Sequence, residues 1–343
     1  MPNSSPTFTV VLDANVWVAE RLLQSSLGGA LLYAVAQAQA TLGVPEVVER
    51  EVNQVLPEMA EAAARNIERD IAILRQLSGQ QMIATGPTLL AVQEGIAQRW
   101  KQLSGSIARV PFDFEQANSA LSRIMQKTAP CGENNEQFRD CCIWHAALTL
   151  AADRPVHLVT ADRAFYEGRK LENGLARTLR SETERKGAKI LIHPTIRDLL
   201  TTLGDTVVAI DESVIAEAIV ESVSPTARDI VAGETPEEGK FVLGEPLGWK
   251  IKGYATPKPA AVAISFEVAF ELELIATGDE AWGLENGRLR IEGECDFDPN
   301  RNTVSQIEVK GWSQRLGASW GTSTTRSSDF YKQYQPSHMR VLS

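Results

Sequence analysis

The sequence predicts an α/β fold with a central parallel sheet, followed by a smaller β-rich antiparallel domain. Three observations carry this reading. Between residues 7 and 203, short β-branched runs ending at a polar or acidic residue alternate with long helical stretches, as in a parallel sheet covered by helices. From Val262 to Leu274 every second residue is apolar, the mark of a strand with one buried face. Charge divides the chain as well: residues 1–203 hold 21 basic and 22 acidic groups, whereas residues 204–343 hold 13 and 22. The expected organisation is an α/β domain over 1–203, a helix and linker over 204–240, and a β-rich domain with a partly ordered tail over 241–343.

Thr7–Asp13 (TFTVVLD) reads as the first strand, stopping at an acid. A helical stretch rich in Ala, Leu and Gln follows from Leu27 to Leu42, broken by Gly43-Val44-Pro45. An amphipathic helix is expected from about Val47 to Leu77, with Val48, Val52, Val55, Met59, Ile67, Ile71 and Leu74 on its apolar stripe. A short apolar segment (81–85), helices near 87–103 and 113–128, a Gly/Asn loop and a helix from Phe138 to Ala152 complete an all-helical middle. Strand character returns at His157–Thr160, then a helix over Phe165–Arg185 and a strand at Lys189–His193. Beyond Leu203, a short helix (Glu212–Val223) and a Pro/Gly/Glu-rich link precede Val262–Leu274. Leu289, Ile291, Gly293, Cys295 and Phe297 then alternate with charged residues, and a turn at Asp298–Asn302 makes a hairpin with Ile307 and Val309.

A net charge of -10 argues against a nucleic-acid coat or a polybasic membrane binder. No run approaches the roughly 20 apolar residues that span a bilayer, and the N-terminus lacks a basic leader, so no membrane role and a cytoplasmic location are expected. Cys131, Cys141, Cys142 and Cys295 lack paired CxxC spacing, which leaves them as core residues. Asp296, Asp298, Asn300 and Asn302 imitate the start of a calcium loop, but Arg301 and Ile307 occupy the positions that require Gly and Glu. A plain turn is expected there.

Chemistry concentrates in carboxylates placed where such a sheet presents ligands. Asp13 ends strand one in LDANVWV, with Asn15 two residues on, facing the same side if the chain stays extended. Asp162 follows the later strand in LVTADRAF; Asp140 opens an apolar helix in FRDCCIW, with Glu136 four residues earlier; Glu51 lies at the start of a helix in VPEVVEREV. Singly, an Asp after a strand is as often a helix cap. Gathered without cations, four carboxylates repel strongly, so such a cluster implies a divalent metal. Hard oxygen ligands suit Mg²⁺ or Mn²⁺.

The order LDANVWV, VPEVVEREV, FRDCCIW, LVTADRAF resembles the PIN domain over residues 7–203, in the form of the larger bacterial PIN-like proteins. The resemblance implies an α/β/α sandwich in which Asp13, Glu51, Asp140 and Asp162 are both catalytic residues and ligands of Mg²⁺ or Mn²⁺, with Asn15, Glu136 and Thr160 as auxiliaries and Glu49 as runner-up to Glu51. It implies metal-dependent hydrolysis of RNA, less often DNA, by an endonuclease, and suggests toxin–antitoxin or phage-defence roles. A phosphatase of the haloacid-dehalogenase type requires a second Asp where Asn15 stands.

Eight basic and four acidic residues lie between Arg163 and Lys189; Arg163, Arg169, Lys170 and Arg177 are the candidates for phosphate-backbone contact. The acidic β-domain shows no catalytic set and is expected to bind a regulatory protein, self-associate or restrain the basic stretch. Aromatic residues near the C-terminus, among them Trp312, Trp320, Phe330 and Tyr331, are better suited to packing than to stacking on bases. The competing reading is a non-catalytic PIN-like module that binds nucleic acid or protein.

Overall fold

The computed structural model describes residues 7–81, 86–132, 137–204, 207–234, 241–258, 261–275, 284–318 and 324–329. The chain forms two compact units. One takes it through Leu22 and from Val35 to Leu199; the other takes Leu23–Ala34 and the chain from Leu200 through the C-terminal sheet.

The first unit is built on a five-stranded parallel sheet with flanking helices. Its strands are β1 (Thr9–Leu12), β2 (Thr41–Pro45), β3 (Ile107–Val110), β4 (Val156–Val159) and β5 (Ile190–His193), in the order β3-β2-β1-β4-β5. The chain steps outward from β1 to β2 and β3, then returns to the other side of β1 for β4 and β5. The topological switch therefore lies between the carboxyl ends of β1 and β4, where open α/β sheets bind ligands. Leu12 pairs with Val159 there, and the Asp13 N–H donates to the Val159 carbonyl at 3.0 Å.

β2 and β3 correct the expected all-helical middle. The helix α2 ends at Gln37 (Ser26–Gln37), and Thr41–Pro45, read as the helix end followed by a break, is the strand β2. Five residues buried on both faces show no alternation, so their strand character comes from pairing with β1 and β3. Gly43 is required at this crossing: a Cβ would meet Leu150 Cδ1 at 2.5 Å and the Thr9 and Val11 methyls at 3.0 Å. β3 is four residues long and carries Arg109, too short and mixed to announce itself.

The helices are α1 (Ala14–Ala19), α3 (Glu46–Ser78), α4 (Leu89–Leu103), α5 (Phe114–Gln126), α6 (Phe138–Ala151), α7 (Arg177–Lys186) and α8 (Ile196–Leu203). α3 has nearly the expected length, but its core contact ends early: Val48, Val52, Val55, Leu56 and Pro57 are buried, while Ile67 and Leu74 are about half exposed. The apolar segment at 82–85 and the loop at 133–136, which contains Glu136, lie outside the described residues. The helix expected over 165–185 is instead a series of 3₁₀ turns followed by α7. Gly168 and Gly174, at φ 61° and 67°, interrupt it.

The second unit holds an antiparallel sheet ordered β11-β10-β9-β8-β7-β6. Its strands are β6 (Val207–Val208), β7 (Phe241–Ala255), β8 (Val262–Leu274), β9 (Leu284–Asp298), β10 (Thr303–Ala318) and β11 (Thr324–Asp329). The helix α9 (Glu212–Glu234) covers one face, with Ile219, Val223 and Ile230 joining Phe266, Val268, Phe270, Leu289 and Ile291 in one core. It runs past Pro225, where the sequence suggested an end, because Ala227, Ile230 and Val231 continue to bury apolar surface. Glu294 of β9, almost fully buried, accepts the Leu27 N–H near the start of α2 at 3.1 Å and pairs with Lys310 at 3.0 Å.

The turn expected at Asp298 is present. Asp298 Oδ1 accepts the N–H groups of Asn300 and Arg301 at 2.9 and 3.3 Å, an Asx turn that uses the carboxylate locally. Trp320, Phe330 and Tyr331 lie outside the described residues.

Candidate metal centre

Asp13 follows β1 directly and stands at the N-cap position of α1, yet its carboxylate makes no capping bond. The chain turns helical at Ala14, so the extended geometry expected to align Asn15 with Asp13 does not occur; Asn15 is half-buried in the first turn of α1. The Asp13 carboxyl is 5% exposed, an unusual place for an anion without a cation beside it. Its Oδ2 accepts a hydrogen bond from the buried Thr160 hydroxyl at 2.7 Å, and that hydroxyl accepts the Asp162 N–H at 3.0 Å. Thr160 is held in turn by the Tyr166 hydroxyl, which donates to its carbonyl at 2.7 Å. One strand-end threonine thus fixes both Asp13 and the backbone that carries Asp162.

Asp162 accepts the Ala164 N–H at 2.7 Å through Oδ1, and Gln137 Nε2 donates to Oδ2 at 3.1 Å. It is both a cap of the following 3₁₀ turn and a member of the carboxylate group. Asp140 lies in the first turn of α6. Glu51 on α3 pairs with Arg139 of α6 at 2.6 Å, whereas Glu49 turns away to Arg109, which donates to both its oxygens at 2.8 and 3.0 Å.

Electrostatics ties these groups together. Burial pushes the Asp13 carboxyl up from 3.8 to about 6; the Thr160 hydrogen bond opposes this, and the charges of Asp162 and Glu51 add to it. Asp140 is held well above the usual carboxylate range by burial first, then by Asp162 and Asp13, with Glu51 adding and Arg139 opposing. Burial also raises Glu51, against the pull of Arg139. Four acids from the ends of β1 and β4 and from α3 and α6 therefore feel one another, with Arg139 opposing at Asp140 and Glu51. Among the described residues no three side chains converge into a ready-made metal cage.

The family model of the PIN domain matches residues 10–165. This stretch is a PIN domain. PIN domains are in general nucleases that use divalent metals. No curated protein and no solved structure matches the chain. Asp13, Glu51, Asp140 and Asp162 offer carboxylate oxygens, the donor type that suits a hard divalent cation, and among the described residues Arg139 pairs with one of them, Glu51.

Arg163, Arg169, Lys170 and Arg177 are exposed on the turns and helix after Asp162, with Arg177 near Glu167 at 3.9 Å. Gln137, Arg139 and Tyr166 were missed in the sequence. Arg139 alone left a signal there, adjacent to Asp140 in FRDCCIW. Among the described residues no helix is long and apolar enough to cross a membrane.

Proposed function

We propose that the PIN domain is a metal-dependent endonuclease that hydrolyses RNA, with DNA as a secondary substrate. The observation that carries this is the buried Asp13 carboxyl, joined through the Thr160 hydroxyl to the backbone of Asp162, with the charges of Asp162 and Glu51 adding to the rise that burial imposes on it. Such a group is costly in isolation and is stabilised by a divalent cation. Asp13, Asp140 and Asp162 would hold Mg²⁺ or Mn²⁺ directly, with Glu51 contributing at the Arg139 side. An ion held there would supply Lewis acidity toward a phosphoryl oxygen and a water activated for hydrolysis.

The remaining work falls to this chain's own groups. Thr160 orients Asp13, while Gln137 and the Ala164 amide orient Asp162, a supporting shell of the kind that tunes metal ligands. Arg163, Arg169, Lys170 and Arg177 guide the phosphate backbone and make binding salt-dependent.

Purified chain incubated with fluorescent single-stranded RNA and DNA in Mn²⁺, with a chelator control, tests the reading. Metal-dependent internal cleavage, faster on RNA, is expected; no cleavage of either polymer sinks it. A second reading, a non-catalytic module, draws support from the Glu51–Arg139 pair, which already neutralises one acid. It predicts nucleic-acid or protein binding that is unchanged by chelator. A toxin or defence role restrained by the acidic unit predicts that expression of the chain halts growth and that Asp13→Asn relieves the arrest.

A further inference from the structure

The C-terminal sheet carries an arginine groove that the chemistry above does not use. Leu289 and Ile291 of β9 lie in the core beneath α9, so by strand alternation Arg288 and Arg290 project from the opposite face. In the β9–β10 register Arg290 stands opposite Ser313 and Arg288 opposite Arg315, which starts the two opposed side chains about 5 Å apart. Like charges in this arrangement are unfavourable unless an anion lies between them.

Arg290 already has one, Glu267 at 3.4 Å, which Lys250 shares at 3.2 Å. Arg288 and Arg315 are exposed, and among the described residues neither makes an ion pair. The acid opposite Arg288 on β8 is Glu271, and its carboxylate accepts from Asn286 Nδ2 at 3.1 Å. The backbone beneath the pair is specialised: a Cβ on Gly287 would meet the Arg315 carbonyl oxygen at 2.7 Å, and the register slips between Arg315 and Gly317. Bulges of this kind re-aim side chains beside binding sites. Gly287, Arg288, Arg290, Ser313 and Arg315 are among the residues that line a groove of about 480 Å³, within the size range of small-molecule sites.

We propose that this groove binds a small phosphate-bearing ligand of nucleotide size. Arg288 and Arg315 present planar donor forks to phosphate oxygens, and the Ser313 hydroxyl adds a donor at the groove wall. A long polyanion is disfavoured, because the 13 basic and 22 acidic residues of 204–343 repel a strand laid across the unit. A single di- or triphosphate meets the arginine pair and little of that field.

Isothermal titration of the full chain in EDTA, which keeps divalent cations from bridging phosphate to the carboxylate centre, tests this with ATP, pyrophosphate, adenosine and a short single-stranded RNA as probes. ATP and pyrophosphate are expected to bind and adenosine is not. Arg288→Gln and Arg315→Gln each weaken ATP by roughly ten-fold, as loss of a charged fork does, while Arg301→Gln in the Asp298 turn leaves it unchanged. Melting curves confirm that the variants fold. The proposal is overturned if ATP and pyrophosphate do not bind, if Arg288→Gln and Arg315→Gln bind ATP like the wild type, if adenosine alone reproduces the binding, or if RNA occupies the same arginines more tightly than ATP.

Discussion

Replacing Asp13 by Asn should stabilise the metal-free protein at alkaline pH, although it removes the central residue of the candidate site. The Asp13 carboxyl is raised from 3.8 to about 6. Between these values the folded protein holds a proton that the unfolded chain has released, so stability falls as pH rises through the window and the full cost is present above it. A rise of that size corresponds to about 3 kcal/mol at 1.36 kcal/mol per pH unit. Asn removes the charge and keeps an oxygen to accept the Thr160 hydroxyl, which now donates to Oδ2. In EDTA at pH 8, Asp13→Asn should therefore melt higher than the wild type, by roughly 5–10 °C for a domain of this size. At about pH 2.5, well below both values, the difference should close, since the wild-type carboxyl is then protonated in both states. Mn²⁺ should reverse the order at pH 8, raising the wild type by about 4 kcal/mol at a thousand-fold excess over its dissociation constant and the variant little. Calorimetry over this grid decides the matter. A variant less stable than the wild type in EDTA at pH 8, or equal stabilisation of both by Mn²⁺, would refute the reasoning.

Three further outcomes follow from the same contacts. Thr160→Val strips Asp13 of its donor and leaves the Asp162 N–H unpaired; it should cost about 1–3 kcal/mol in urea unfolding and lower metal-dependent cleavage by roughly 10–100-fold. His193, buried against His157 with their ring nitrogens 2.9 Å apart, is pushed down from 6.5 to about 4, by burial first and then by His157. The unfolded chain takes up this proton first, so wild-type stability is lost as pH falls from 6.5 toward 4; His193→Gln should flatten that limb of the stability–pH curve, and an unchanged slope would exclude the histidine as its source. Gly43→Ala should destabilise by about 1–3 kcal/mol through overpacking against Leu150, Thr9 and Val11, seen as a lower urea midpoint at constant m-value.

Legibility followed the range of the forces involved. The strand-end acids Asp13 and Asp162 and the seven alternating residues of β8 were readable because each is a local pattern with one physical cause. β2 and β3 were not: the five residues of β2, buried on both faces, carry no period, the four of β3 form a short edge strand with an exposed Arg109, and both take their conformation from neighbours far away in sequence. The interruption at Gly168 and Gly174 and the continuation of α9 past Pro225 are the same lesson in opposite directions: a local breaker decides only where burial does not outweigh it. In the candidate site the acids themselves were legible, but their partners were not. Thr160 lies two residues from Asp162 and could be named, whereas the Gln137–Asp162 bond and the Arg139–Glu51 pair exist only because α6 is brought against α3 and the end of β4. Glu49, the runner-up to Glu51 in the sequence, is drawn off by Arg109 on a strand that the sequence did not announce.

The most direct test of the central claim is the cleavage rate of single-stranded RNA in Mn²⁺ by wild type and Asp13→Asn purified in parallel. A loss of at least about 100-fold in the folded variant is expected if Asp13 holds the activating metal. Equal rates in the two proteins, or wild-type cleavage that persists in chelator, would contradict it.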